Sequence, residues 1–195
     1  MIEVDELSVR FGGVVPIDRM TVTMRGGTCG LIGPNGAGKT TFFNVLSGFV
    51  RPTTGTVRAF GDDLLGVADF KRARWGLRRT FQTEQAIADL SVYDNLLLVQ
   101  ENTGGQRATR HGDVMDAVAF VGLERVAHDR VGTLGAGQRR LVEVGRAVVG
   151  QPRLVLLDEP AAGLPDDETE RLGQLIRRIP EETGATVILV DHDMS

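Results

Sequence analysis

The stretch GPNGAGKTT, Gly33 to Thr41, limits what this chain can fold into more than any other segment. It fits the pattern G-x-x-x-x-G-K-[ST] at Gly33, Gly38, Lys39 and Thr40. The apolar run TCGLI (28–32) precedes it and TTFFNVLSGF follows it, so the context is strand, glycine-rich turn, helix. That order builds a phosphate cradle. Glycines let successive backbone N–H groups close around an anion, and the helix N-terminus adds its dipole. Lys39 would bring a compact cation to the β and γ oxygens, and Thr40 would offer a hydroxyl to Mg²⁺. A strand as continuously apolar as TCGLI is expected to be buried on both faces, as in a parallel sheet.

A second element answers the loop. RLVLLDEP (153–160) reads as another buried strand, ending in the adjacent carboxylates Asp158 and Glu159. The C-terminal ends of parallel strands are where such sheets bind ligands. Asp158 is therefore a candidate to orient Mg²⁺, and Glu159 a candidate to polarise a water aimed at a γ-phosphate.

The periodicity supplies the frame. Ile2, Val4, Leu7, Val9 and Phe11 alternate with polar residues before Gly12-Gly13, and Met20, Val22 and Met24 alternate again before Gly26-Gly27. GTVRAFG (55–61) predicts one more short strand. From about Glu84 to Gly132 helical spacing dominates, with Val114, Val118 and Val121 on one face. Helix, strand, helix, strand then follow after Gly137. Strands alternating with helices argue for an α/β fold with a mostly parallel core sheet, interrupted by an inserted helical segment.

The bulk numbers exclude several classes. With 42% hydrophobic and 25% charged residues, the chain has the composition of a soluble globular protein. A net charge of −4 gives no global attraction to nucleic acid or anionic lipid. Cys29 is alone, which leaves no disulfide framework or cysteine metal cluster. No apolar run approaches the roughly 18 residues needed to span a bilayer, and the N-terminus lacks a signal-peptide layout. A cytoplasmic protein is expected, with any membrane role supplied by a partner. The run KRARWGLRR (71–79) packs five basic residues with Trp75. It reads as a solvated basic helix turn rather than a nucleic-acid stripe, so no nucleic-acid partner is expected.

TLGAGQRR, Thr133 to Arg140, is a second glycine loop opening a helix, and so a second potential anion site. At this point six segments in order resemble the ATPase subunit of ATP-binding-cassette (ABC) transporters. GPNGAGKTT resembles that family's first nucleotide motif, RTFQ its glutamine loop, LGAGQRR its LSGGQ signature and LVLLDEP its second nucleotide motif. AAGLP falls at its D-loop, and VDHDMS carries His192 at its switch histidine.

The resemblance implies a P-loop NTPase fold. A RecA-like core with an antiparallel β part would occupy residues 1–82 and 133–195, and a helical subdomain about 83–132. It implies ATP and Mg²⁺ as cofactors, with Gly33, Asn35, Gly36, Ala37, Gly38, Lys39, Thr40 and Thr41 holding ATP. Thr40, Gln82 and Asp158 would serve the metal, and Glu159, His192 and Gln82 the hydrolysis. Phe11 would stack on adenine, although a phenylalanine in an alternating strand otherwise belongs to a core; His192 would otherwise be a turn cap. The resemblance also implies a head-to-tail dimer, in which Leu134, Gly135, Ala136, Gly137 and Gln138 contact the ATP held by a partner cassette.

Three departures stand out. Gly135 replaces the signature serine and Ala136 the usual glycine or tyrosine; Pro165 stands in the D-loop where Asn or Asp is common. The serine's hydrogen bond to a charged group would be worth roughly 1.5–3 kcal/mol, about tenfold or more in ATP-dependent closure. Both sites face the partner, which points to an asymmetric heterodimer. Third, the chain ends at Ser195, so the C-terminal end of the usual domain is missing, and a bare edge strand such as TVILVD would be an association hazard. A truncated piece and a naturally short member both fit.

Within the family, RFGGVVPID, RTFQ and LDEPAAGL resemble the ATPases of branched-chain amino-acid importers and their urea or amide relatives. That implies a protein peripheral on the cytoplasmic face of the membrane, working with permease subunits and, indirectly, a solute-binding protein. A soluble non-transport cassette ATPase, or a regulatory nucleotide-binding subunit of low turnover, remains the alternative.

Overall fold

The alternating and apolar runs become strands where expected. The computed structural model describes residues 1–103 and 110–191. In chain order it contains β1 (Ile2–Phe11), β2 (Val14–Met24), β3 (Thr28–Leu31), α1 (Lys39–Ser47), β4 (Thr54–Ala59), β5 (Asp62–Asp63), α2 (Asp69–Trp75) and β6 (Leu77–Arg79). There follow α3 (Val92–Thr103), α4 (Arg110–Phe120), α5 (Ala136–Val148), β7 (Leu154–Asp158), α6 (Asp166–Thr183) and β8 (Thr186–Val190).

Two sheets form. The first is antiparallel, in the order β2-β1-β4-β5; the second has the order β3-β8-β7-β6 and its ladders are parallel. Helix α1 lies between them. Its Phe42 and Phe43 are buried in one core with Ile2, Val4, Leu7 and Val9 of β1 and with Leu154, Leu156, Ile188 and Val190 of the parallel sheet. The opposite face of the same strands, with Val155, Leu157 and Val187, joins a second core with α5, α6, α3 and α4. β7 is thus buried on both faces, and its carboxylate end is fixed by packing rather than by a loop.

Val114, Val118 and Val121 lie at 4% exposure or less, in the core shared with Val92 and Leu96 of α3 and Val142 of α5. The helical spacing had placed them on one face.

Three expectations are corrected. TVILVD is no edge: β8 lies between β3 and β7, because the chain crosses from the second nucleotide strand back into the middle of the sheet. TCGLI is not buried on both faces. β3 is the sheet's edge, Thr28 and Gly30 are exposed, and Ile32 just beyond it is 60% exposed. The basic run is not a solvated turn either. Arg72 and Arg78 are buried, and Arg79's side chain is only 6% exposed. Arg72 reaches the carbonyls of Val45 and Leu46, at the end of α1, and Arg78 the carbonyl of Ala73. These guanidiniums satisfy buried backbone acceptors instead of forming a surface stripe.

Candidate nucleotide site

The phosphate loop joins β3 to α1, and its tightest point is Gly38. This residue has φ +85°, and a Cβ there would sit 2.3 Å from the carbonyl oxygen of Pro16 on β2. Only glycine lets the loop lie against that strand. Lys39 begins α1 and is 7% exposed. Its ammonium donates to the carbonyls of Gly33 and Pro34, at 2.9 Å for the latter, so the loop itself holds the cation at its centre. The first turn of α1 carries no acidic residue to oppose an anion at its N-terminus.

A cleft of about 480 Å³ opens over this helix end. Asn35, Gly36, Gly38, Lys39, Thr40 and Thr41 line one side, and Gln82, Glu159 and Pro16 complete it. Residues far apart in sequence are therefore brought together: the loop, the glutamine after β6 and the second carboxylate after β7. Gly33 and Ala37 serve the loop's own geometry, Gly33 by accepting from Lys39 and Ala37 by donating its N–H to the carbonyl of Pro34 at 3.2 Å.

The two carboxylates have separate environments. Glu159 has φ +49°, an uncommon conformation for a residue with a side chain, and its N–H donates to the Val190 carbonyl at 3.0 Å. Such a conformation costs about 1–3 kcal/mol and persists where the surroundings impose it, as at reacting sites. Asp158 is 2% exposed and lies behind the cleft rather than on its wall. Its N–H donates to Thr80 Oγ1 at 3.2 Å, and its Oδ2 accepts from Arg79 Nη2 at 3.1 Å. Its Oδ1 is buried and has no partner among the described residues. Burial lowers the Arg79 pKa, and the bond and charge of Asp158 oppose that shift; burial alone lowers Arg78, to about 10.

That orphaned acceptor is the observation that fits a metal. No cluster of three or more His, Cys, Asp or Glu able to hold an ion occurs among the described residues. A Mg²⁺ arriving on nucleotide phosphates needs only one or two protein oxygens, and Thr40 and Asp158 Oδ1 can supply them.

Gln82 is exposed on the cleft, and the residues behind it are clamped to α5. Buried Glu143 accepts from the backbone N–H groups of Gln85, at 2.7 Å, and Ala86. Arg139 pairs with Glu84 at 2.9 Å, and Arg146 donates to the Gln85 carbonyl.

The second glycine loop stands apart from this cleft. Gly135 caps α5 with φ −66° and ψ 161°, and its N–H donates to Gln138 Oε1 at 3.2 Å. Leu134 is buried and anchors the turn, while Gly135 and Ala136 are exposed. At Gly137 a Cβ would lie 2.2 Å from Glu168 Oε2, so the carboxylate from α6's first turn lies directly against this glycine and would have to swing aside for a larger residue. Pro165 is the N-cap of α6 and offers no side-chain cap bond.

Phe11 is 51% exposed beside the hairpin turn, paired with Val14, and so is not core. It does not line the cleft. His192 lies outside the described residues. Sequence reasoning missed Pro16, Arg79 and Glu143. Glu143 had a signal, a lone acid within the apolar-periodic run LVEVGRAVV, whereas Pro16 had none.

The comparisons with known proteins agree with this geometry. The family model described as ABC transporter matches residues 17–162. The branched-chain amino acid transport ATP-binding protein BraF of Pseudomonas aeruginosa is 37% identical, over all of this chain and 82% of its own length. LivG of Escherichia coli K12, another high-affinity branched-chain amino acid transport ATP-binding protein, is 36% identical with the same coverage. Among solved structures, the ADP conformation of MJ1267, an ATP-binding cassette of an ABC transporter, matches all of this chain and 82% of its own. Its TM-score is 0.87 and its identity 25%. The dimeric cassette MJ0796 bound to ADP and Pi shares the fold at TM-score 0.83 and 23% identity, over all of this chain and 89% of its own. A nucleotide cleft built at one end of a parallel sheet, a separate signature helix and these likenesses together place the chain in the ABC transporter family, as an ATP-hydrolysing cassette subunit.

Proposed function

We propose that this ATPase powers import of branched-chain amino acids or related small polar solutes, as one half of a head-to-tail pair of non-identical cassettes. One observation carries the reading. The chain holds a full phosphate-loop cleft, and its exposed signature helix end does not line that cleft, which supports a role for the second loop at another cassette's nucleotide. The names of BraF and LivG support the solute class. Among the described residues no helix is long and apolar enough to cross a membrane. The cassette would therefore sit on permease subunits at the cytoplasmic face and meet a solute-binding protein only through them. Residues 83–132 would be the helical subdomain and 1–82 with 133–195 the core.

In this reading the loop N–H groups and Lys39 bind the β- and γ-phosphates, and Phe11 stacks on the adenine. Glu159, held at its unusual φ on the cleft wall, accepts a proton from the attacking water. Gln82 orients that water and the metal, and His192 contacts the γ-phosphate. Mg²⁺, when bound through Thr40 and Asp158, would neutralise the charge of the transferring phosphoryl group. The partner's signature closes over this site, while Gly135 faces the partner's ATP without a serine hydroxyl.

The test is Glu159→Gln. With ATP and the partner cassette it should accumulate as a closed dimer on size exclusion and release almost no phosphate. Hydrolysis at the wild-type rate would remove Glu159 from the mechanism. Uptake of labelled leucine, lost when this subunit is deleted and restored by it, tests the solute.

A further inference from the structure

Arg79 occupies a place that the hydrolysis scheme does not use. It ends β6, and its side chain is 6% exposed. One arm, Nη2, donates to Oδ2 of Asp158 at 3.1 Å. The other, Nη1, donates to Asn44 Oδ1 at 2.7 Å and Ser47 Oγ at 3.3 Å, both on α1. The guanidinium thus joins the metal carboxylate to the far end of the helix that carries Lys39 and Thr40. Three rings enclose it, with centroids 4.8 Å (Phe81), 5.5 Å (Phe43) and 5.9 Å (Phe49) from its carbon. Phe81 immediately precedes Gln82, and Phe49 is 65% exposed with its ring 6.1 Å from that of Phe81.

A carboxylate offers its two oxygens interchangeably unless one is held. Here Oδ2 is occupied by a forked donor that is fixed in turn by α1 and by aromatic faces, and Oδ1 is left buried without a partner. A planar guanidinium fits both tasks, bonding in its plane and stacking across it. We propose that Arg79 is a positioning residue for the metal half of the nucleotide site: it pins Asp158 through Oδ2, reserves Oδ1 for the Mg²⁺ carried by ATP, and is itself held by the Phe49–Phe81 wall. This rests on the nucleotide-site reading above. It also links a surface phenylalanine to the metal carboxylate through only one intervening side chain.

The test measures binding rather than turnover. Affinity for a β,γ-imido ATP analogue is determined on the full chain with Mg²⁺ and again with EDTA, and the ratio is the metal-dependent gain. Removing a residue that orients a metal ligand typically lowers metal affinity about 10-fold or more. Arg79→Met should therefore lose about tenfold of that gain while affinity in EDTA stays unchanged. Arg79→Lys, which keeps a charge beside Asp158 but not the fork, should regain part of it. Phe49→Ala, remote from the nucleotide, should show a smaller loss in the same direction. A folded Arg79→Met chain with the wild-type gain overturns the proposal, as does an equal loss with and without Mg²⁺. Should Arg79→Met not fold, an unchanged gain in both Arg79→Lys and Phe49→Ala overturns it equally. A wild-type chain that binds the analogue under neither condition defeats the nucleotide-site reading itself.

Discussion

Two glycine loops open two helices in this chain, and they are built to opposite plans. At α1 the loop is pressed against β2 by Gly38 in the left-handed conformation, and Lys39 is buried at its centre. Two other strand ends then deliver Gln82 and Glu159 to the same cleft. At α5 the cap residue Gly135 is extended and exposed, and the acidic Glu168 of the same chain lies against Gly137. One loop is a cation-bearing pocket closed by its own sheet. The other offers backbone donors to something outside. The cation of the second loop, Arg139, is turned onto Glu84 and the Leu134 carbonyl of its own chain, so this loop does not duplicate the first; in the proposed reading it is the half of a site that a partner cassette completes.

The largest effect expected from breaking this contrast is at Glu159. General-base contributions run to about 10²–10⁴-fold, so Glu159→Gln should lower phosphate release by about 100-fold or more while ATP still binds, as read by equilibrium dialysis. Gly38→Ala comes next. Its left-handed φ alone costs a side-chain-bearing residue about 1–2 kcal/mol, and the 2.3 Å approach to Pro16 forces the loop off β2. ATP affinity should fall at least tenfold, with little change in the helical segment's hydrogen exchange. Wild-type affinity would mean that the close fit to β2 does not shape the cradle.

The sequence was most legible where one residue type is forced by geometry. The phosphate loop, the buried strand LVLLD and the stripe Val114, Val118, Val121 all follow from local spacing, and each emerges in place. What escaped depends on strand order, which spacing does not encode. β8 enters the middle of the sheet and leaves β3 at its edge, so TCGLI is half exposed and TVILV is sheltered. The same holds for charge. KRARWGLRR looks solvated when read as a run, yet three of its arginines turn inward: Arg78 onto the Ala73 carbonyl of the run itself, and Arg72 and Arg79 onto the Val45 carbonyl and Asp158, both distant in sequence. Pro16 was invisible for the same reason, since only the close approach at Gly38 gives it a role.

A smaller effect is expected at the joint between the two loops. Glu143, on the signature helix, is buried and accepts the N–H groups of Gln85 and Ala86 just after Gln82. A charged acceptor of this kind contributes about 1.5–3 kcal/mol, or roughly 3–12 °C in Tm for a chain of this size. Glu143→Ala should lower Tm within that range and speed hydrogen exchange at Gln85 and Ala86 ahead of the parallel sheet. If those two amides stay as slow as wild type, the clamp does not hold the glutamine loop to α5.

The smallest effect on the chain itself, and the sharpest on the comparison, is expected for Gly135→Ser. The backbone there has φ −66°, which any residue adopts, and a Cβ would meet nothing closer than Gln138 Oε1 at 3.9 Å. The serine should therefore enter without strain and change stability by only a few tenths of a kcal/mol, since glycine and serine differ little as N-caps. Its hydroxyl would point outward with the exposed helix end, toward a nucleotide on the partner. The cleft at Lys39 should keep its own ATP affinity, while ATP-dependent dimerisation with the partner cassette should strengthen about tenfold, the value of one bond to a charged group. Equal affinity at the partner's site before and after the substitution would show that the missing hydroxyl is not what distinguishes the two sites. A change confined to the chain's own cleft would reverse the assignment of the two loops.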